Sequence, residues 1–204
     1  MTHNLTRGIV ATMAAALLVT FSMAQDKGQP PPQMTPEQQA EMEAWMKAGT
    51  PGPQHKAMAA EAGSYTTVVK SWPEPGAPAT EEPGTAKRSI TNGGRVLVED
   101  FACSMMGMPF TGQGMRGYDN VSGKYWSTWT DSMSTGMMFS QGTCDDAKKT
   151  CTFTGTYNDP LKKGPVTSRM VSRVTGPNTE MFEMYGPDKK GKEFKMMEIT
   201  YTKK

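Results

Sequence analysis

The sequence predicts an all-β protein, a closed antiparallel up-and-down barrel of about ten strands that follows a short N-terminal helix. Three observations favour this fold class. Stretches of alternating apolar and polar residues, typical of half-buried strands, follow one another from residue 63 onward. Gly, Asn and Asp cluster between these stretches, where hairpin turns are expected. An open sheet of so many sequential strands would expose its edges, and closure into a barrel removes them.

Residues 1–24 have the pattern of a secretory signal peptide. Arg7 stands in a short charged start, residues 9–21 are apolar and uncharged, and Ser22 and Ala24 are the small residues expected before a cleavage site. The apolar stretch is shorter than the roughly 20 residues that a spanning helix needs. A retained N-terminal anchor is the alternative. We therefore expect a periplasmic or secreted protein in an oxidising compartment, without a membrane span after cleavage.

A helical segment over residues 35–62 is predicted between a disordered Pro-rich leader, residues 25–34, and the strands. Thr35 is a typical N-cap, Pro36 suits the first helical position, and Gln38 completes a capping box. Gly and Pro residues then interrupt the helix, which resumes briefly before the strands begin.

The barrel domain is expected to occupy residues 63–204, with short turns between its strands. Residues 73–83 are rich in Pro and are predicted to form a long loop, whereas Asn92-Gly93-Gly94 is a strong hairpin signal. The predicted strands are 65–72, 85–91, 95–102, 110–118, 124–130, 136–142, 151–157, 166–174, 180–185 and 193–202.

Composition and motifs argue against several classes of protein. Lys and Arg number 22 and Asp and Glu number 20, which leaves a net charge of +2 and no basic field for nucleic acid. With two His and three Cys, the chain has little material for a metal cage, and we predict neither a metal nor a cofactor. The sequence lacks the Gly-x-Ser-x-Gly, His-Glu-x-x-His and Gly-Lys-Ser/Thr motifs. No catalytic residue is therefore predicted.

Two of the three cysteines are predicted to form a disulfide. Cys144 and Cys151 bracket a hairpin-sized loop, and in an exported protein such a pair is expected to be oxidised. Two reduced thiols are the alternative. Cys103 is left unpaired, and we interpret it as a small apolar core residue rather than a ligand or a reactive thiol.

The chain contains 19 methionines, which we interpret mainly as core residues, because the thioether side chain is apolar and adaptable. The alternative is Cu(I) binding by the clusters at residues 105–108, 137–138 and 196–197, since thioethers suit that ion. Adjacent residues on a strand point to opposite faces, so only the cluster at 105–108, interrupted by Gly107, suits chelation.

Polar residues within the strands are the candidates for ligand contacts. Alternate strand residues face the interior of a barrel, and Trp129, Glu183 and Glu198 each share their predicted face with apolar neighbours. We predict that these three line one cavity, with Arg116 near at least one carboxylate. The opposite parity, with Trp126, Met184 and Met197 facing inward, is the alternative. The candidate ligand-binding residues are Arg116, Tyr118, Tyr125, Trp129, Asp131, Glu183, Tyr185 and Glu198.

Several motifs together resemble a known family. They are Gly-x-Gly-Met-x-Gly-Tyr-Asp-Asn at 112–120, Lys-Tyr-x-Ser-Thr-Trp-x-Asp-Ser-Met-x-Thr-Gly at 124–136, Glu-Met-Tyr at 183–185 and Gly-Lys-Glu-Phe-Lys-Met-Met-Glu-Ile-Thr-Tyr at 191–201. With His55-x-x-Met58 and Gly63-x-Tyr65 upstream, the chain resembles the bacterial domain-of-unknown-function family fifteen seventy-nine over nearly all of its strand region.

That family is similar to the calycins, lipocalin-like barrels that enclose small apolar molecules, so the resemblance implies a calycin-like barrel. Fold alone does not fix function. Tyr65 stands where the family has Trp, and Thr202-Lys203 stands where it has Thr-Arg. These two ends close the base of such barrels, and the closure is expected to differ here in detail. The resemblance does not supply the Cys144–Cys151 pair.

Two classes of function follow from these observations. The favoured one is non-catalytic binding of a small, largely apolar molecule in a barrel cavity. The other is an enzyme that uses interior carboxylates such as Glu183 or Glu198 as general acid or base. Copper binding through methionine is a weaker third hypothesis. The sequence predicts neither the identity of the ligand nor the oligomeric state.

Overall fold

The computed structural model describes residues 34–204, so the predicted signal peptide and all but the last residue of the predicted leader lie outside the described residues. Two helices precede ten strands, and a single 3-10 turn, Asn92–Gly94, joins β2 to β3. The elements are α1 (Pro36–Gly49), α2 (Pro53–Ala60), β1 (Gly63–Ser71), β2 (Thr80–Thr91), β3 (Val96–Met105), β4 (Met108–Asp119), β5 (Lys124–Asp131), β6 (Met138–Asp145), β7 (Thr150–Asp159), β8 (Gly164–Gly176), β9 (Thr179–Pro187) and β10 (Glu193–Lys203).

The ten strands form one closed barrel, in which each strand pairs antiparallel with the next and β10 pairs with β1. The predicted all-β, up-and-down barrel after a short helix is therefore confirmed. The loop predicted over 73–83 is shorter than expected, because residues 80–83 pair with residues 68–71. Closure leaves no open sheet edge in this meander, as the number of sequential strands requires.

α1 begins at the predicted capping box. The Thr35 hydroxyl accepts a hydrogen bond from the Gln38 amide at 3.2 Å, and the Gln38 side chain accepts one from the Thr35 amide at 2.9 Å. The apolar side chains Met42 and Trp45 are exposed, so this helix does not pack an apolar face onto the barrel. Its C-terminal end is tied to the barrel by Asn120, whose amide donates to backbone carbonyls at the end of the helix.

α2 closes one end of the barrel, which we call the base. Met58 is the most deeply buried apolar side chain and packs with Leu97 and Tyr125. His55 is also buried, accepts a hydrogen bond from the Gly52 amide at 3.0 Å, and meets the Tyr118 ring edge-on. His55 therefore caps the N-terminus of α2 and packs this helix against β4.

Small residues make room for large rings inside the barrel. A Cβ placed at Gly112 would overlap the Trp129 indole, and Gly114 lies under the same ring. Likewise, a Cβ at Gly142 would lie 2.7 Å from the Phe153 ring. These glycines explain how aromatic side chains of neighbouring strands lie flat against the barrel wall.

Cys144 and Cys151 form a disulfide between directly opposed positions of β6 and β7, and Cys103 is free and half-buried. Both parts of the cysteine prediction agree with the structure. The bond closes a loop with a sequence separation of 7 residues.

We expect replacement of Cys144 and Cys151 together by Ala to lower the free energy of unfolding by about 2.5 kcal/mol, because a short loop is no longer closed in the unfolded chain. Urea unfolding of the oxidised protein and of the double variant measures the difference. Cys103→Ala is the matched control: it keeps the disulfide, so we expect it to lose as much stability on reduction as the wild-type protein does. Peptide mapping without reductant that found Cys103 bridged to either partner would contradict the assignment.

Candidate functional site

Five charged side chains meet at the base of the barrel, beneath α2. Arg88 is central: its Nε lies 2.6 Å from Glu99 Oε2, and its Nη1 lies 2.6 Å from Glu180 Oε2 and 3.4 Å from Glu61 Oε2. Arg116 Nη2 forms a close ion pair with the same Glu61 oxygen. The five residues come from four strands and the end of α2, and we call them the base cluster.

Tyrosines complete the surroundings of Arg88. Its guanidinium lies 4.7 Å from the centre of the Tyr65 ring and 4.5 Å from that of Tyr201. The Tyr201 hydroxyl donates to Glu99 Oε1 at 3.2 Å. Lys203 lies farther from the Tyr65 ring, at 6.0 Å, and donates to the Ala60 carbonyl. The start of β1 at Tyr65 and the end of β10 at Lys203 thus meet, as the resemblance implies. The cation nearest to the Tyr65 ring is Arg88.

Burial and charge act in opposite directions on the pKa of Glu180. Burial raises the pKa of this carboxyl, but the charges of Arg88 and Arg116 and the hydrogen bonds from Arg88 and Ser172 hold it below its ordinary value. For Tyr201, burial and the charge of Glu99 raise the phenol pKa well above its ordinary value. The Glu180 carboxylate is therefore ionised and the Tyr201 phenol is neutral at pH 7.

Five of the eight candidate residues face the barrel interior. Tyr125, Trp129 and Asp131 lie on one face of β5, and Trp129 Nε1 donates to Asp131 Oδ2 at 3.1 Å. Tyr118 packs against Tyr125 with ring centres 4.9 Å apart, and Arg116 belongs to the base cluster. The predicted parity of β4 and β5 is correct, because no irregularity interrupts their pairing.

Glu183 and Glu198 do not line the cavity with Trp129. Phe182 and Met197 pack against the interior core, so the side chains of Glu183 and Glu198, which lie opposite each other on β9 and β10, occupy the outer face. The prediction of one shared cavity is wrong in this respect. A bulge between Lys195 and Met197 reverses the parity that Phe194 and Met196 suggested for β10.

The outer carboxylates are neutralised by cations on their own face. Lys195 Nζ lies 3.4 Å from Glu183 and also pairs with Glu198, and Arg173 forms a close ion pair with Glu183. Burial raises the pKa of the Glu183 carboxyl, but the hydrogen bond from Arg173 and its positive charge outweigh burial and hold the pKa below its ordinary value. Tyr185 shares the outer face, under the Arg169 guanidinium. Ligand binding by these three candidates stays a prediction.

The base cluster contains four residues that sequence reasoning missed: Glu61, Arg88, Glu99 and Glu180. Arg88 stands two residues from both Ala86 and Ile90, and Glu99 stands two residues from Leu97 and Phe101. A charge within an apolar alternation indicates an inward-facing ion, and this signal was available for β2 and β3. Pairing Arg88 with Glu180 depends on barrel closure, which local patterns do not encode.

Above the base cluster, the interior is lined mainly by apolar side chains, and its buried core includes Val69, Phe101 and Ile199. Trp129, Phe182 and Met197 face inward and pack against this core, yet all three are only half-buried. Thr67 is 3% exposed, and its hydroxyl has no hydrogen-bond partner within residues 34–204. A Cβ at Gly84 would lie 2.6 Å from Thr67 Oγ1 and 2.9 Å from Cys103 Cβ, so the two side chains are neighbours. We call this region the barrel chamber.

Two cavities open on the outer surface. A groove of about 710 Å³ crosses the outer side of β1 to β5, and a second of about 370 Å³ lies beside Pro165 and Glu193. Lys87, Asp100 and Gln113 line the larger groove, where Gln113 Nε2 donates to Asp100 Oδ1 at 2.9 Å.

The methionine clusters divide between interior and surface. Met105 packs against the interior core around Phe101, whereas Met106 and Met108, at the turn between β3 and β4, are exposed. Within residues 34–204, no group of three or more His, Cys, Asp or Glu side chains is arranged to hold a metal ion. Copper binding by methionine stays an alternative hypothesis.

The fold and this interior define a class, a closed ten-stranded antiparallel barrel with a buried ion-pair cluster at its base. A family model described as "Protein of unknown function (DUF1579)" matches residues 50–203, and the chain belongs to that family. This confirms the resemblance carried by the sequence motifs.

A solved structure has the same fold. The crystal structure of Rv2717c from M. tuberculosis is similar with a TM-score of 0.59, at 11% identity, over 76% of this chain and 99% of that chain. No curated protein matches the sequence. None of the helices described over residues 34–204 has the length and apolar character needed to cross a membrane.

Proposed function

We propose that this protein binds a small, largely apolar molecule, without catalysis, in the barrel chamber. The observation that carries the proposal is the Thr67 hydroxyl, which is buried without a partner among the described residues beside half-buried apolar side chains. A buried polar group without a partner is costly, and a bound molecule that supplies a hydrogen bond removes that cost. An apolar wall with few polar groups is typical of ligand pockets.

The charges of the interior favour binding over acid–base catalysis. A general acid or base working near pH 7 needs a carboxyl group whose pKa is raised toward 7. Glu180, the most buried carboxylate of the base cluster, instead has its pKa lowered by Arg88 and Arg116. The pKa of Glu183 is lowered as well. Both groups are suited to ion pairing, and the enzyme hypothesis is the less supported alternative.

We also propose that the protein is exported and acts in the periplasm or outside the cell. The pattern of residues 1–24 and the disulfide between Cys144 and Cys151 support it, because disulfides persist in oxidising compartments.

Native mass spectrometry of the mature protein, residues 25–204, tests the proposal together with calorimetric titration of 1-octanol. Cys103→Phe fills the barrel chamber, whereas Ala102→Phe adds the same ring to the neighbouring outward position. We expect co-purified ligand and octanol binding in the wild-type protein and in Ala102→Phe, and loss of both in Cys103→Phe. Equal urea unfolding of the two variants establishes that both are folded.

Thr67→Val supplies a second test that does not change the volume of the side chain much. It removes the unpartnered hydroxyl, so we expect weaker octanol binding together with an unchanged or increased free energy of unfolding. Unchanged octanol binding in both Thr67→Val and Cys103→Phe, or no binding by the wild-type protein, would overturn the proposal.

A further inference from the structure

Acidic groups outnumber basic groups in the barrel interior. The inward acidic side chains are Glu61, Glu82, Glu99, Asp131, Asp159 and Glu180. The inward basic side chains are Arg88, Arg116 and Lys203. Six acidic groups against three basic groups give the described interior a formal net charge of −3.

The basic groups are already engaged. Arg88 contacts three carboxylates, Arg116 is paired with Glu61, and Lys203 donates to the Ala60 carbonyl. The Nε of Arg116 is buried and has no hydrogen-bond partner among the described residues. A single N–H of an already neutralised guanidinium suits a neutral acceptor such as a hydroxyl or carbonyl oxygen.

The acidic groups toward the opposite end of the barrel have no cation beside them. Glu82 lies opposite the inward-facing Val69, and it takes part in none of the salt bridges found within residues 34–204. Asp131 accepts hydrogen bonds from Trp129 Nε1 and from the Met133 amide, neither of which carries a charge. Burial and the charge of Glu82 raise the pKa of the Cys103 thiol, which keeps that neighbour neutral.

We infer that the barrel chamber selects a neutral or cationic apolar molecule, of the alkyl alcohol or alkylamine class, and rejects the corresponding carboxylate. The inference rests on the proposed function and specifies the ligand of that same chamber. An entering carboxylate meets Glu82 and Asp131 without gaining a free counter-charge, and repulsion between like charges is strong in a partly dry interior. An alcohol can use the Thr67 hydroxyl and the Arg116 Nε, and an ammonium group is attracted by Glu82.

Calorimetric titration of the mature protein at pH 7 with 1-octanol, octylamine and octanoate tests this inference, because the three probes share one chain and differ in charge. We expect 1-octanol and octylamine to bind at least about tenfold more tightly than octanoate. Glu82→Gln is expected to reduce the preference for octylamine over octanoate by about threefold or more. Glu81→Gln, at the neighbouring exposed position that pairs with Lys70, is the matched control and is expected to keep the wild-type preference.

The outcomes separate this inference from the proposed function. Octanoate binding as tight as octanol binding overturns the inference and leaves the binding function standing. A preference that stays at the wild-type value in Glu82→Gln overturns the role of that carboxylate. Binding of none of the three probes overturns the proposed function and this inference with it.

Discussion

Arg88→Met is expected to lower the free energy of unfolding by about 3–5 kcal/mol, because it removes the central cation of a buried ion-pair cluster and leaves its carboxylates in place. The Arg88 side chain is 6% exposed and neutralises Glu99 and Glu180, whose side chains are 15% and 14% exposed. Without Arg88 these carboxylates stay in the interior with no adjacent positive charge except Arg116. Urea unfolding followed by circular dichroism measures the loss.

Arg169→Met is the matched control for that substitution. Arg169 also lies on a strand, makes two hydrogen bonds to one carboxylate, Glu193, and stacks on a tyrosine, Tyr185, but on the outer surface. Because an exposed ion pair contributes about 0–1 kcal/mol, this variant should lose no more than that. Equal losses in the two variants would contradict the assignment of Arg88 to a buried cluster. Adding Glu99→Gln and Glu180→Gln to Arg88→Met should recover part of the stability.

Local sequence patterns were sufficient to predict much of the fold. The number of strands, the hairpin at Asn92-Gly93-Gly94 and the facing cysteines all depend on residues close together in the chain. On β5 the alternation of Tyr125, Trp129 and Asp131 also gave the correct inward face, since β4 and β5 pair without interruption. Glycines beneath the Trp129 ring then allowed the strands to keep that register.

The sequence did not predict the parity of β9 and β10. Apolar residues occupy both faces of β9, and the bulge near Lys195 inverts the alternation that Met196 and Glu198 suggest. The base cluster was missed for a different reason. Arg88 and Glu180 are 92 residues apart and meet only when the barrel closes, and Glu61 reaches them only because α2 covers the base. The local pattern indicates that Arg88 and Glu99 face inward, but it does not indicate which distant residues pair with them.

The aromatic wall of the interior gives the second large effect. We expect Phe101→Ala to lower the free energy of unfolding by about 3–5 kcal/mol, through lost burial and the cavity left behind. Phe101 is 5% exposed, and its ring meets those of Phe110, Trp129 and Tyr201 edge-on, with centres 6.1–6.4 Å apart. Its removal would therefore weaken packing against β4, β5 and β10 together. Urea unfolding at constant pH measures the change.

Phe139→Ala separates this packing effect from the loss of a phenyl ring on any strand. Phe139 lies on β6, faces outward and is 47% exposed, so its truncation should cost under about 1 kcal/mol. Phe101→Leu keeps most of the buried area and should lose clearly less than Phe101→Ala. A cost for Phe101→Ala as small as that for Phe139→Ala would mean that the ring does not pack in the interior. In that case, the inward parity of β3, on which the barrel chamber is built, would have to be abandoned.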